Sequence, residues 1–179
     1  MLPSSSVAAP LIVTLTLDEA AQTYFNALRR QHFPPKINYL DAHLTLFHHL
    51  PGLELPAVCE VLRRCSQAES PLPLRVAGLR SLGRGVAFVL QNERLLALHR
   101  ELQHRLAPSL TPQDRQRLQP HVTIQNKADP AVARQLLADL QAGFAPFGAV
   151  GTGLQLWAYR HGPWEALHWF PLGSAPARG

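Results

Sequence analysis

Two histidine–threonine pairs carry the chemistry this chain can do. The stretches Asp41-Ala42-His43-Leu44-Thr45-Leu46 and Pro120-His121-Val122-Thr123-Ile124 both read His-x-Thr followed by an aliphatic residue, and His43 and His121 are 78 residues apart. Histidine is the side chain whose unperturbed pKa lies nearest neutral pH. Two imidazoles facing one cleft therefore suit paired proton transfers, one taking a proton from an attacking oxygen and the other giving one to a leaving oxygen. Two threonine hydroxyls can donate to the non-bridging oxygens of a phosphate. They would hold the phosphorus in line between the imidazoles and stabilise charge that builds on those oxygens. Neither stretch holds a carboxylate cluster, and a site of this kind needs no metal or cofactor.

Such side chains need strands to aim them. Both stretches alternate with period two, so His43 and Thr45 share one face and Leu44 and Leu46 the other; His121 and Thr123 repeat this against Val122 and Ile124. The aliphatic faces call for a core beneath helices, and the polar faces then meet a groove. Around them, Leu11 to Leu17 reads as a strand. A helix capped by Asp18 follows, with Ala21, Phe25 and Leu28 on its apolar face and a stop near Pro34-Pro35. A helix starting near Pro56 buries Val58, Leu62 and Cys65, and Leu72 to Leu82 is the next strand. The order then repeats: a strand over 86–90, a helix capped by Asn92 with Leu95, Leu98, Leu102 and Leu106 inward, the His121 strand, a helix opened by Asp129-Pro130, and strands over 153–159 and 166–170 joined at His161-Gly162-Pro163. The expected fold is α+β: a single domain over 1–179, built as a bilobal pseudo-two-fold duplication of approximate repeats 10–82 and 86–160. Antiparallel sheets would line a central cleft, with helices outside.

Composition bounds the partners. The formal charge is +5 and 46% of residues are hydrophobic. A basic domain suits a phosphate-bearing partner. No apolar run reaches the roughly 20 residues of a membrane helix, and the start, through Pro10, lacks the basic segment of a signal peptide. Residues 1–9 read as a frayed arm. Cys59 and Cys65, six residues apart on one helix, are placed for burial rather than a disulfide, which fits a reducing cytoplasm.

The ordered pair of His-x-Thr strands resembles the two-histidine (2H) phosphoesterase superfamily, and within it the RNA 2′,3′-cyclic phosphodiesterases, also called 2′–5′ RNA ligase-like proteins. PPKINYLDAHLTLFHHLPG is similar to the first motif region of that family and QPHVTIQNK to its second. The resemblance covers nearly the whole chain. It implies a bilobal α+β fold and metal-free hydrolysis of a cyclic phosphate or a 2′–5′ phosphodiester. It gives His43 and His121 as acid and base and Thr45 and Thr123 as phosphate holders. Some relatives carry an arginine shortly after the second motif; here Gln125-Asn126-Lys127 stands there, and Lys127 is the candidate for that charge. The partner implied is RNA with a cyclic phosphate end or a small cyclic nucleotide, met by a monomer. Two other readings are a ligase or phosphodiesterase acting on 2′–5′ linkages and a non-catalytic module that binds RNA ends.

Strand alternation nominates further residues. Phe47 and Gln125 continue the polar faces, and Phe47 is placed either to stack a base or to cover the core edge. Trp157 and Tyr159 alternate with Leu156 and Ala158 and are placed either to pack between the lobes or to stack a base, which contributes about 1–3 kcal/mol per ring. Arg80 either faces the same cleft or is simply solvated, and Arg115 and Arg117 either touch an RNA backbone or, as the default, belong to a solvated loop. His99 and His104 read as surface residues of a helix. His48 and His49, as strand neighbours, point to opposite faces and do not converge with His43 on a metal.

Overall fold

The computed structural model describes residues 8–173; the arm expected over 1–9 lies outside that range except for Ala8 and Ala9. Element order is β1 (Leu11–Leu17), α1 (Glu19–His32), β2 (Leu44–Leu50), α2 (Leu55–Gln67), β3 (Leu72–Ser81), β4 (Val86–Gln91), α3 (Glu93–Arg105), β5 (His121–Gln125), α4 (Pro130–Ala142), β6 (Phe147–Tyr159) and β7 (Trp164–Pro171). The anticipated α+β order is present twice, with β7 added at the end. Local chemistry sets the helix starts. The side-chain oxygens of Asp18, Asn92 and Asp129 accept from the backbone N–H of Ala21, Leu95 and Ala131, satisfying donors that the first helical turn leaves unpaired.

All seven strands form one antiparallel sheet. Its path is β2-β1-β6-β3-β4-β5, with β7 also paired to β6. The long strand β6 joins the halves. It begins at Phe147 rather than Gly153, pairs with β3 over Phe147–Gly151, and pairs with both β1 and β7 further on. The two motif strands, β2 and β5, are thus the outermost members of the path. The sheet curls until they approach each other without pairing, and the cleft is the open seam between them.

The halves interlock across the seam. α1, from the first half, packs on β5, and its Phe25 ring lies 5.2 Å from Phe88 of β4. α3, from the second half, sends His99 under β2, where it stacks on Phe47 at 4.8 Å. Each half therefore supplies the helix beneath the other half's motif strand. Among the described residues no helix is long and apolar enough to cross a membrane.

Both motif strands carry the same irregularity. Along β1, Thr14 faces Thr45 but Val13 faces Phe47; along β4, Ala87 faces Thr123 but Val86 faces Gln125. One extra residue in each motif strand makes a β-bulge and turns two consecutive side chains inward: Leu46 and Phe47 in β2, Ile124 and Gln125 in β5. Beside the second bulge the chain passes so close that a β-carbon on Gly85 would stand 1.9 Å from the Gln125 carbonyl oxygen. Gly85→Ala is expected to lose about 1–3 kcal/mol of stability through overpacking against backbone. Thermal unfolding measures it, and an unchanged midpoint would contradict the close approach.

Candidate active site

The bulges decide which side chains reach the cleft. Phe47, expected on the polar face, is fully buried against His99 and has no ring face to offer a base. After the bulge the alternation is reset, and His48 takes the cleft position that Phe47 would have held; its ring lines a cavity with Thr45 and His121. Gln125 is likewise buried. His99, read as a surface residue, is 3% exposed, and its Nε2 lies 3.0 Å from the Leu46 carbonyl oxygen, to which it donates.

His43 and His121 are held alike. Nδ1 of His43 lies 2.8 Å from the carbonyl oxygen of Asp41, and Nδ1 of His121 lies 2.7 Å from that of Gln119, two residues back in both cases. A carbonyl only accepts, so each Nδ1 carries the proton. That fixes the tautomer and leaves Nε2 of the neutral ring as the acceptor nitrogen. Burial pushes the His43 imidazole down to about 4; the Asp41 carbonyl bond opposes this, and the charges of Arg29, His121 and His48 add to it. His121 is lowered too, by burial first, against its Gln119 bond and with help from Arg80 and His48. Burial thus favours the neutral form of both rings.

Two cavities adjoin the seam. One, of about 210 Å³, is lined by His43, Thr14, Gln155, Trp157 and Trp164 among others. The His43 and Trp164 ring centroids are 4.7 Å apart, those of Trp157 and Trp164 6.0 Å, and the Trp157 indole N–H donates to Thr14 Oγ1 at 2.9 Å. The other, of about 360 Å³, brings Thr45 and His48 of β2 together with Arg80 of β3 and His121 of β5. So donors from both halves meet in one cavity, with an aromatic hollow on the His43 side.

The remaining expected residues are placed differently. Thr123 is partly buried in β5 and lines neither cavity; its backbone carbonyl takes a hydrogen bond from Arg29 Nη1 at 3.0 Å. Lys127 is exposed beyond β5 with φ of 57° and lines neither cavity. Tyr159 is exposed at the end of β6 beside His161 and lines neither hollow, while its cross-strand neighbour Trp164 does line one. Sequence reading passed over Trp164 by starting β7 at Ala166. Counting back across the hairpin from Tyr159 would have found it.

Arg29 and Asp114 were also not singled out, and both serve the open seam. Arg29, 5% exposed, donates through Nε to Asn38 Oδ1 at 2.8 Å, and its guanidinium carbon lies 3.9 Å from the Phe33 ring centroid. Burial pushes it down to about 10, against the pull of Asp41, so it stays charged. Asp114 accepts from the His48 and His49 backbone N–H groups, at 2.8 and 2.9 Å, and from the His48 ring at 3.0 Å. Among the described residues no three His, Cys, Asp or Glu side chains converge as a metal site would need.

A sequence profile of the 2′-5′ RNA ligase superfamily matches residues 17–163, which include both motif strands. The chain belongs to that superfamily. These are the two-histidine phosphoesterases, and solved structures of the superfamily share the fold. TT0787 of Thermus thermophilus matches with a TM-score of 0.66 at 19% identity, over 92% of this chain and 98% of that one. LigT of E. coli in apo form matches with a TM-score of 0.65 at 20% identity, over 94% of this chain and 100% of the other. No curated protein matches the sequence.

Proposed function

We propose that this superfamily member is a phosphodiesterase that opens the 2′,3′-cyclic phosphate of an RNA end or a nucleotide. Water attacks phosphorus as one imidazole takes its proton. The bond from phosphorus to one ribose oxygen breaks, that oxygen receives a proton from the other imidazole, and a phosphomonoester remains. Thr45, in the cavity with His121, donates to a non-bridging oxygen. The proposal for Thr123 is the same role from the other strand. The aromatic hollow of Trp157 and Trp164 takes the base. The observation that carries the reading is the matched anchoring of His43 and His121 through Nδ1, at the two motif strands that border one seam. LigT of E. coli has been crystallised with 3′-AMP and with phosphate, ligands of the class proposed here.

The test is release of phosphomonoester from nucleoside 2′,3′-cyclic phosphates and cyclic-phosphate RNAs in the presence of EDTA, beside 2′–5′-linked dinucleotides. Turnover of the cyclic substrates is expected. Untouched cyclic phosphates would end this reading, and cleavage confined to 2′–5′ linkages would replace it. The pH profile adds a sharper expectation. The reactive form holds one neutral and one protonated ring. Activity falls as the pH drops through the lower apparent pKa, because the base becomes protonated. It falls again as the pH rises through the upper one, because the acid is lost. Both rings are depressed from the ordinary value of about 6.5, so kcat/KM should peak on the acidic side of it, with limbs belonging to the pair. A bound anion favours imidazolium, so the kcat profile should lie at higher pH. A kcat/KM maximum well above neutrality would contradict the burial of the two rings.

A further inference from the structure

The cavity on the His121 side is larger than the reacting phosphate needs, and it continues. A hollow of about 650 Å³ adjoins it and shares Arg80, Arg117, Leu118 and Gln119 with it, but lacks His43, Thr45 and His121. The two shared arginines are available to an anion. Arg80 has its Nε buried with no hydrogen-bond partner, while Nη1 donates to Gln119 Oε1 at 2.8 Å. That Nε is closed to solvent, so an anion in either cavity meets the charge of the Arg80 guanidinium rather than this atom. Arg117 is exposed on the loop before β5. Neither arginine has a carboxylate partner among the described residues. The acid in the inner cavity, Asp114, is already taken by three N–H donors; Glu93 lines the outer hollow only.

We infer that Arg80 and Arg117 receive a second phosphate of the substrate, so that the preferred substrate is a 2′,3′-cyclic phosphate nucleotide bearing a 5′-phosphate or phosphodiester, as an RNA end does, rather than a bare nucleoside cyclic phosphate. This rests on the proposed cyclic phosphodiesterase reading. The reacting phosphorus must lie at the seam between the histidines, and the arginines stand where that cavity meets the next. An anion held by them in the outer hollow, which neither Thr45 nor His121 lines, is separate from the reacting one. In an RNA end the next phosphate is one ribose away, on the 5′ side of the same nucleotide. Guanidinium forks suit it, pairing with phosphate through two parallel N–H bonds. The aromatic hollow on the opposite side of His43 leaves room for the base, so base, reacting phosphate and second phosphate each have a place.

The experiment compares kcat/KM for a nucleoside 2′,3′-cyclic phosphate, the same compound with a 5′-phosphate, and a dinucleotide ending in the cyclic phosphate. The wild-type protein is expected to favour the second and third over the first by about tenfold or more, the size of one charge-assisted hydrogen bond. Arg117→Gln and Arg80→Gln should each remove most of that preference, Arg117→Lys should keep part of it, and added salt should shrink it. Preference for the 5′-phosphate alone would assign a mononucleotide; preference for the dinucleotide alone would assign RNA. A wild-type ratio near one, or a ratio that survives both glutamine variants, overturns the inference while leaving the phosphodiesterase reading intact. If no substrate turns over, calorimetric binding of a nucleoside 2′-phosphate against the 2′,5′-bisphosphate decides separately. Tighter bisphosphate binding that Arg117→Gln abolishes supports the second site, and equal or absent binding sinks it.

Discussion

Alanine in place of His43 or His121 is expected to lower turnover of a 2′,3′-cyclic phosphate by at least about a hundredfold each. Each ring has its Nδ1 proton committed to a carbonyl two residues back, so Nε2 is the atom lost, and no other imidazole sits in an equivalent frame. His48, the nearest substitute, has its Nδ1 tied to Asp114 and follows the bulge rather than preceding it. If the two rings act on one reaction, as proposed, removing both should cost little more than removing one, as for residues that work as a unit. His43 and His121 are half-buried as residues; each ring makes one hydrogen bond, to a carbonyl, and His43 also packs on Trp164. The thermal midpoint of either variant should therefore stay close to that of the parent. Unchanged turnover in one variant would take that residue out of the mechanism. A large fall in midpoint would instead turn the pair into structural residues.

The parts of the molecule written in local chemistry were legible from sequence. Caps at Asp18, Asn92 and Asp129, the proline stops and the alternation of the motif strands all depend on neighbours in the chain, and the observed elements begin and end close to where those signals lie. The bulges were not legible. Nothing in Leu44-Thr45-Leu46-Phe47-His48 marks the extra residue, because a bulge answers to the partner strand, β1, rather than to its own sequence. Strict alternation therefore sent Phe47 to the cleft and His48 away from it, the reverse of what the structure shows. His99 was misplaced for a related reason. A polar residue on a helix is usually solvated, but the terminal strand of an open sheet leaves carbonyls without partners, and the Leu46 carbonyl draws His99 inward. Lys127 was chosen by its distance along the chain from His121. It does not line either cavity, whereas Arg80, from β3, lines one together with His121.

One physical requirement links these misses. A cleft made from the two ends of one sheet leaves β2 and β5 with unpaired backbone groups facing each other, and groups of that kind need partners when water is excluded. Pairing the strands directly would close the site. Side chains from the other half do it instead: Arg29 for the Thr123 carbonyl, His99 for the Leu46 carbonyl, and Asp114 for the His48 and His49 N–H groups. These partners hold the motif strands in place yet leave room for a phosphate between them. They come from distant positions in the chain, which is why no sequence spacing announces them.

Asp114 gives the strongest test of that arrangement. Its carboxylate is 3% exposed and accepts three N–H groups from β2, while Gln103 Nε2 donates to the backbone carbonyls of Asp114 and Gln116 and ties their loop to α3. Asp114→Ala strands two backbone donors at the strand edge and frees the loop that carries Arg117 and the Gln119 carbonyl behind His121. A loss of about 3 kcal/mol is expected from unsatisfied partly buried donors, which for a chain of this size lowers the midpoint by roughly 6–12 °C. His48→Ala removes only the ring bond and should cost less. The pH dependence has a definite sign. Burial would raise the Asp114 carboxyl, but the His48 and His49 bonds outweigh it and hold the group below its ordinary value. The folded state thus favours the ionised form, and the resulting stabilisation is present above the ordinary carboxylate value of about 3.9 and is lost as the pH falls through the lower folded value. The gap in midpoint between wild type and Asp114→Ala should accordingly be full at neutral pH and narrow in strong acid. KM for the cyclic substrate should rise in the same variant, since the loop it frees carries one wall of the cavity. A midpoint within a degree of wild type at neutral pH would show that the open edge of β2 is held by something other than this carboxylate.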